Sequence, residues 1–155
     1  MAQITNFTQN NDDMVHAHSG LRWLVLIMLV VAIINGLIGW LGNKDWKKKD
    51  KMINMITMMF FHLQVVIGIV LYFVGPKKAF NGFADLGHEL SRFYALEHPL
   101  MMLIATILFT IGYSKAKKAD SDSLKFRRTF FWFLITLVLV LFSIPWTKAL
   151  GASMF

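Results

Sequence analysis

The sequence predicts an all-α integral membrane protein, a single domain over residues 1–155 folded as an antiparallel four-helix bundle. Three observations predict it. Hydrophobic residues make up 56% of the 155, with 14 Phe, against roughly 45–50% in soluble domains. Four stretches are long enough to cross a bilayer, which takes roughly 20 mostly apolar residues. The Lys and Arg residues gather in alternate connections between those stretches.

The spans follow in order at approximately 18–42, 52–75, 93–113 and 129–150. The first runs from Leu21 to Leu41, with Arg22 at its edge. The second holds His62 and Gln64 in its interior. The third begins with Glu97 and His98, and its apolar run starts only at Pro99. The fourth carries Pro145 and Lys148 near its end. Met1 to Met14 contains Asp12 and Asp13 and no Lys or Arg. A signal peptide has the reverse pattern, a basic start and then an apolar stretch. The first span is therefore expected to act as the targeting signal and to be retained.

Charge orients the bundle. Asn43 to Lys51 holds five Lys, and Ser114 to Arg128 holds six Lys and Arg. The other side has Arg22, Lys77, Lys78, Arg92 and Lys148. Short loops rich in Lys and Arg stay in the cytoplasm. Both termini and the connection from Gly75 to Arg92 are thus expected outside, in the periplasm of a bacterial inner membrane. The net charge of +7 is explained by these flanking residues, so no nucleic-acid partner is expected. The lipid bilayer is the expected surrounding. With no cysteine, disulfides, iron–sulfur clusters and Cys-ligated zinc are excluded.

An ionisable residue inside a span marks a functional candidate. The candidates are His62, Glu97 and His98, with His16 and His18 at the entry of the first span and His88 in the outer connection. In a chain without Cys, histidine is the usual ligand for haem or a transition metal. At ~1.5 Å per helical residue, His98 lies about 7 Å inside its span and His62 about 18 Å, with His18 near the surface. His18 and His98 are the matched pair in depth. Each heads a helix face containing small residues: Val25, Leu29, Ala32, Gly36 and Gly39 below His18 and Arg22, and Met102, Ala105, Phe109 and Gly112 below His98. Close helix packing explains such faces as well as a flat ligand does. His16 stands two residues from His18, so only one of the two can face the bundle, and His88 reads as a surface residue. His62 is expected to serve a partner or second site, or next to hydrogen-bond a neighbouring helix, with direct ligation as the third reading. Thr129, Thr136 and Ser143 recur every seven residues and are expected to face the bundle.

Several segments resemble a family of small four-span bacterial membrane proteins known as cytochrome b-like. They are His18-Ser-Gly-Leu-Arg-Trp, His62-Leu-Gln-Val-Val-Ile-Gly-Ile-Val-Leu-Tyr-Phe, Arg92-Phe-Tyr-Ala-Leu-Glu-His-Pro-Leu-Met-Met-Leu and Ser143-Ile-Pro-Trp. The likeness runs from about His16 to Trp146. A remoter similarity is to one half-bundle of haem A synthase, through His18, then Gln64 and Gly68, then Arg92 and His98. The chain has one such unit rather than two, and His62 has no clear counterpart. The resemblance implies b-type haem with His18 and His98 as axial iron ligands.

The expected function is a membrane b-type cytochrome. Haem b would sit near the outer face and exchange electrons with a quinol or a respiratory partner complex, and Arg22 and Arg92 would pair with its propionates. His62 is the further cofactor-site candidate. Two alternatives come from other classes. One is a haem-free accessory subunit of a larger membrane complex, with His62 at the interface. The other is a haem-modifying or metal-handling enzyme using His16, His18 and His98.

Overall fold

A computed structural model describes residues 2–75, 81, 83–84 and 86–146, with side chains from Asp12 onward. The described chain is all-helical, with four long helices: α1 (Ala2–Leu41), α2 (Lys48–Val74), α3 (Glu89–Lys117) and α4 (Asp122–Phe142). They form a ring in which α1 packs on α2 and α4, and α3 packs on the same two. Paired residues fix the directions. His18 and Asn35 of α1 meet Gln64 and Asp50 of α2. His98 and Lys115 of α3 meet Ser143, just past α4, and Arg128. Neighbours in the ring are therefore antiparallel, as expected.

Local chemistry sets the helix ends. Gly42 and Lys44 donate back to the carbonyls of Ile38 and Gly39, while Asn43 takes φ +45°. That left-handed residue stops α1, and Asn is among the few side chains that adopt it readily. Asp50 then starts α2. One oxygen accepts from the Lys47 amide at 2.8 Å, and the other accepts from Asn35 Nδ2 at 3.0 Å. At the same end of the bundle, Ser121 Oγ caps Leu124 N. Asp122 accepts from Lys125 Nζ and from the Trp46 amide. Those bonds, that to Lys125 first, hold the Asp122 carboxyl below its usual range.

Three helices are long and apolar enough to cross a membrane by length and composition: Asp12–Leu41 of α1, α2 and α3. The outward face of the bundle is apolar, with Ile27, Leu41, Phe73 and Phe142 all well exposed. Its inside holds polar groups: Asp50, Asn54, Thr57, Thr129, Thr136 and Ser143 are all buried. Apolar outside and hydroxyl-bearing inside is the pattern of a bundle solvated by lipid. The expected seven-residue hydroxyl stripe does face inward. Thr136 Oγ1 and Ser143 Oγ return to their own backbone, at Trp132 O and Val140 O, and Thr129 Oγ1 accepts from Asn54 Nδ2.

The small-residue faces form the core. Leu29, Ala32, Ala105 and Phe109 are fully buried. A Cβ on Gly36 would stand 3.0 Å from Phe130 N and 3.2 Å from Phe126 O, so α1 and α4 touch backbone to backbone there. Stacked rings fill the centre. Phe109 lies 4.7 Å from Phe61 and 4.5 Å from Phe133 between ring centroids, joining α2, α3 and α4.

Two features differ from the sequence expectation. The sequence pattern extends the fourth span to 150, but α4 stops at Phe142, where Ser143 and Ile144 turn ahead of Pro145. Proline disfavours helical backbone in the residue before it. Positions 147–155, including Lys148, lie outside the described residues, as do Lys77 and Lys78. The second feature is a π-helical turn at Phe93–Glu97 in α3, closed by His98 N to Phe93 O. It sits one turn before Pro99, whose ring would collide with the carbonyl four residues back in a regular helix. The proline also leaves the Ala95 carbonyl without its usual helical donor. Tyr72 Oη of α2 donates to that carbonyl at 2.9 Å.

Candidate functional site

The end of the bundle opposite the basic loops gathers most of the predicted site residues. His18 and Arg22 come from α1, Gln64 and Gly68 from α2, and Tyr94 and His98 from α3 around its π turn. Single turns of π-helix inside α-helices often coincide with functional sites. Here the turn sets the rotation of the helix just before His98.

The two histidines are held from different sides. His98 Nδ1 donates to the Ser143 carbonyl at 2.9 Å. That bond selects the tautomer whose Nε2 carries a lone pair. A backbone carbonyl on the far nitrogen is the usual way of orienting a metal-ligating imidazole. His18 lies against α2 where Gly68 has no side chain, and a Cβ there would come within 3.1 Å of His18 Cε1. Gln64 Nε2 donates to the His18 carbonyl at 2.9 Å, fixing the first helix against the second at this level. The His18 ring is within electrostatic range of both His98 and Arg22.

Three polar atoms at this end are buried without a hydrogen-bond partner: His18 Nδ1, Arg22 Nε and Gln64 Oε1. An unsatisfied buried donor or acceptor costs roughly 1–3 kcal/mol. Three on neighbouring side chains at one end of a bundle mark a place suited to a further polar or metal-bearing group.

The remaining candidates lie elsewhere. Arg92 forms an exposed ion pair with Glu97, Nε to Oε1 at 2.7 Å. The π turn explains the pairing, because it brings residues five apart onto one face. His16 is exposed, as is His88. His62 is on the seam between α2 and α3. Its Nδ1 donates to Met58 O at 2.8 Å, and Nε2 lies 3.2 Å from Thr110 Oγ1. Thr110 is twelve residues beyond His98 on α3, about 18 Å along the helix. The structure thus gives His62 the cross-helix hydrogen bond that ranked behind a partner or second site. The sequence reading missed Ser143 as the orienting carbonyl and Gly68 as the seat of His18. It also missed the Tyr72–Ala95 bond, for which Pro99 was the available signal.

Among the described residues, no group of three or more His, Cys, Asp or Glu side chains converges as a metal site. No family model matches the chain, and no curated protein or solved structure matches it significantly.

Proposed function

We propose that the protein is a membrane b-type cytochrome whose haem iron is ligated by His18 and His98, with α4 completing four spans. The basic loops would face the cytoplasm and both termini the periplasm of a bacterial inner membrane, by the charge split described above. The observation that carries the reading is the His98 Nδ1–H bond to the Ser143 carbonyl. It fixes an imidazole whose Nε2 carries the lone pair, at the same end of the bundle as a second imidazole whose Nδ1 is buried and unpartnered.

The residues present fit a two-histidine haem. His98 is oriented by Ser143, and His18 rests on Gly68, where a side chain would displace its ring. Arg22 has a buried Nε without a partner, as a carboxylate-binding guanidinium would before its ligand arrives. Arg92 is already paired with Glu97 through Nε and is exposed, so Arg22 is the favoured propionate partner and Arg92 the second. A bound b-type haem supplies one-electron exchange, and the protein supplies ligation, burial and charge. A quinol or a neighbouring respiratory subunit is the proposed electron partner.

Two observations favour this reading over the accessory-subunit and metal-handling alternatives: His62 bonds to Thr110 within the bundle, and His16 is exposed. The test is the visible spectrum of His18→Ala and His98→Ala proteins. Each should lose the sharp low-spin α-band, because losing one axial ligand changes the spin state, whereas His16→Ala and His88→Ala should keep it. An unaltered band in His98→Ala would refute the ligand assignment.

A further inference from the structure

At the opposite end of the bundle, a cavity of about 280 Å³ opens between α2, α3 and the start of α4. Trp46, Lys51, Asn54, Tyr113, Lys117 and Lys125 line it. Three helices each bring one ammonium group to it. Lys125 pairs with Asp122 at 2.8 Å; Lys51 and Lys117 are exposed and have no carboxylate partner among the described residues. Asn54 forms the deepest polar part of the wall. It is 2% exposed; its Nδ2 donates to Thr129 Oγ1 at 2.8 Å, and its Oδ1 is buried without a partner.

That set of groups selects a ligand. Lysines placed around a concavity take an anion, and phosphate is the common one. An amide oxygen can only accept, so the ligand must also carry a donor. A hydroxyl beside a phosphate meets both requirements. The volume is at the lower limit of small-molecule sites, roughly 300–1,000 Å³, which suits a headgroup and is too small for a large cofactor. Trp46 and Tyr113 flank the mouth as aromatic residues do at the level of lipid headgroups. The cavity lies at the end of the α2–α3 seam, the loosest pairing in the ring, along which acyl chains could run. The end with the basic loops is also where anionic lipids would be met.

We propose that this cavity binds the headgroup of an anionic, hydroxyl-bearing phospholipid of the phosphatidylglycerol type. The phosphate sits between Lys51 and Lys117, and the glycerol hydroxyl donates to Asn54 Oδ1. The inference rests on the membrane reading and is independent of haem.

Native mass spectrometry of the full chain in detergent tests it, with phosphatidylglycerol, phosphatidylmethanol, phosphatidylcholine and inorganic phosphate as probes. Phosphatidylglycerol should be retained about tenfold better than phosphatidylcholine. Phosphatidylmethanol, which keeps the charge and lacks the hydroxyl, should fall between them. The variant Lys51→Gln with Lys117→Gln alters exposed side chains only and should remove the preference while unfolding at the same temperature in phosphatidylcholine. Equal retention of phosphatidylglycerol and phosphatidylmethanol would overturn the role of Asn54 and with it the headgroup assignment. An unchanged preference in the double variant would overturn the site. Displacement of the lipid by millimolar inorganic phosphate would assign the cavity to a free anion instead. Because the readout is mass, a haem-free protein gives the same answer.

Discussion

Replacing His62 by Phe should cost little stability and leave any haem spectrum intact, and the geometry says why. His62 Nδ1 donates to Met58 O, so in the neutral ring Nε2 is an acceptor. Its partner Thr110 has one hydroxyl proton and two acceptors, Thr106 O at 2.7 Å and His62 Nε2 at 3.2 Å. The shorter bond holds the proton most of the time, so the cross-helix bond is the weaker of the two. Side-chain hydrogen bonds between membrane helices average ~0.6 kcal/mol, with a maximum near 1.7. A weak one belongs at or below that average. Removing His62 leaves neither Thr110 nor Met58 O unsatisfied, since Thr110 keeps Thr106 O and Met58 O keeps its helical amide. The expected loss for His62→Phe is therefore about 0.5–1 kcal/mol, and the coupling to Thr110→Val about 0.6 kcal/mol. Unfolding in graded detergent, followed by circular dichroism on the two single variants and the double, measures both. A coupling above about 2 kcal/mol would exceed what such a bond supplies and would refute the proton assignment. Loss of the haem band in His62→Phe would refute the separation of His62 from the iron site, which rests on the twelve residues between His98 and Thr110.

Gly112→Ala should destabilise by about 1–3 kcal/mol, because the new methyl would overlap Trp132 Cβ. That atom is fixed to the backbone and cannot swing aside, and thermal unfolding checks the loss. Tyr72→Phe should cost about 1 kcal/mol by orphaning the Ala95 carbonyl. The cost should shrink in a Pro99→Ala background, where a backbone amide returns to that carbonyl, and a double-variant cycle reads the difference. A reporter inserted near Ala119 should read as cytoplasmic and one fused after Phe155 as periplasmic. The opposite result at both sites would invert the proposed orientation.

The first three helices were legible because each holds a long apolar run, and hydropathy needs no tertiary information. The hydroxyl stripe of Thr129, Thr136 and Ser143 was legible for the same reason, since its seven-residue period alone predicts one face. The end of the fourth helix was not. Hydropathy alone places Pro145 inside an apolar span, but its restraint on the preceding residue stops the helix at Phe142. His18 and His98 could be matched from depth along two helices running the same way. Arg92 reads from the sequence as an unpaired cation, because a residue five places from its partner lies off the face of a regular helix. Only the π turn brings Glu97 to it. The His62–Thr110 pair depends on the register between α2 and α3, which neither helix carries in its own sequence.

The central claim is two-histidine haem ligation, and the visible spectrum of the purified wild-type protein tests it most directly. Protein purified from haem-replete cells should show, on reduction, the sharp α-band of a six-coordinate low-spin haem b, with one haem per chain. Protein from the same cells that is folded and free of visible absorption would contradict it.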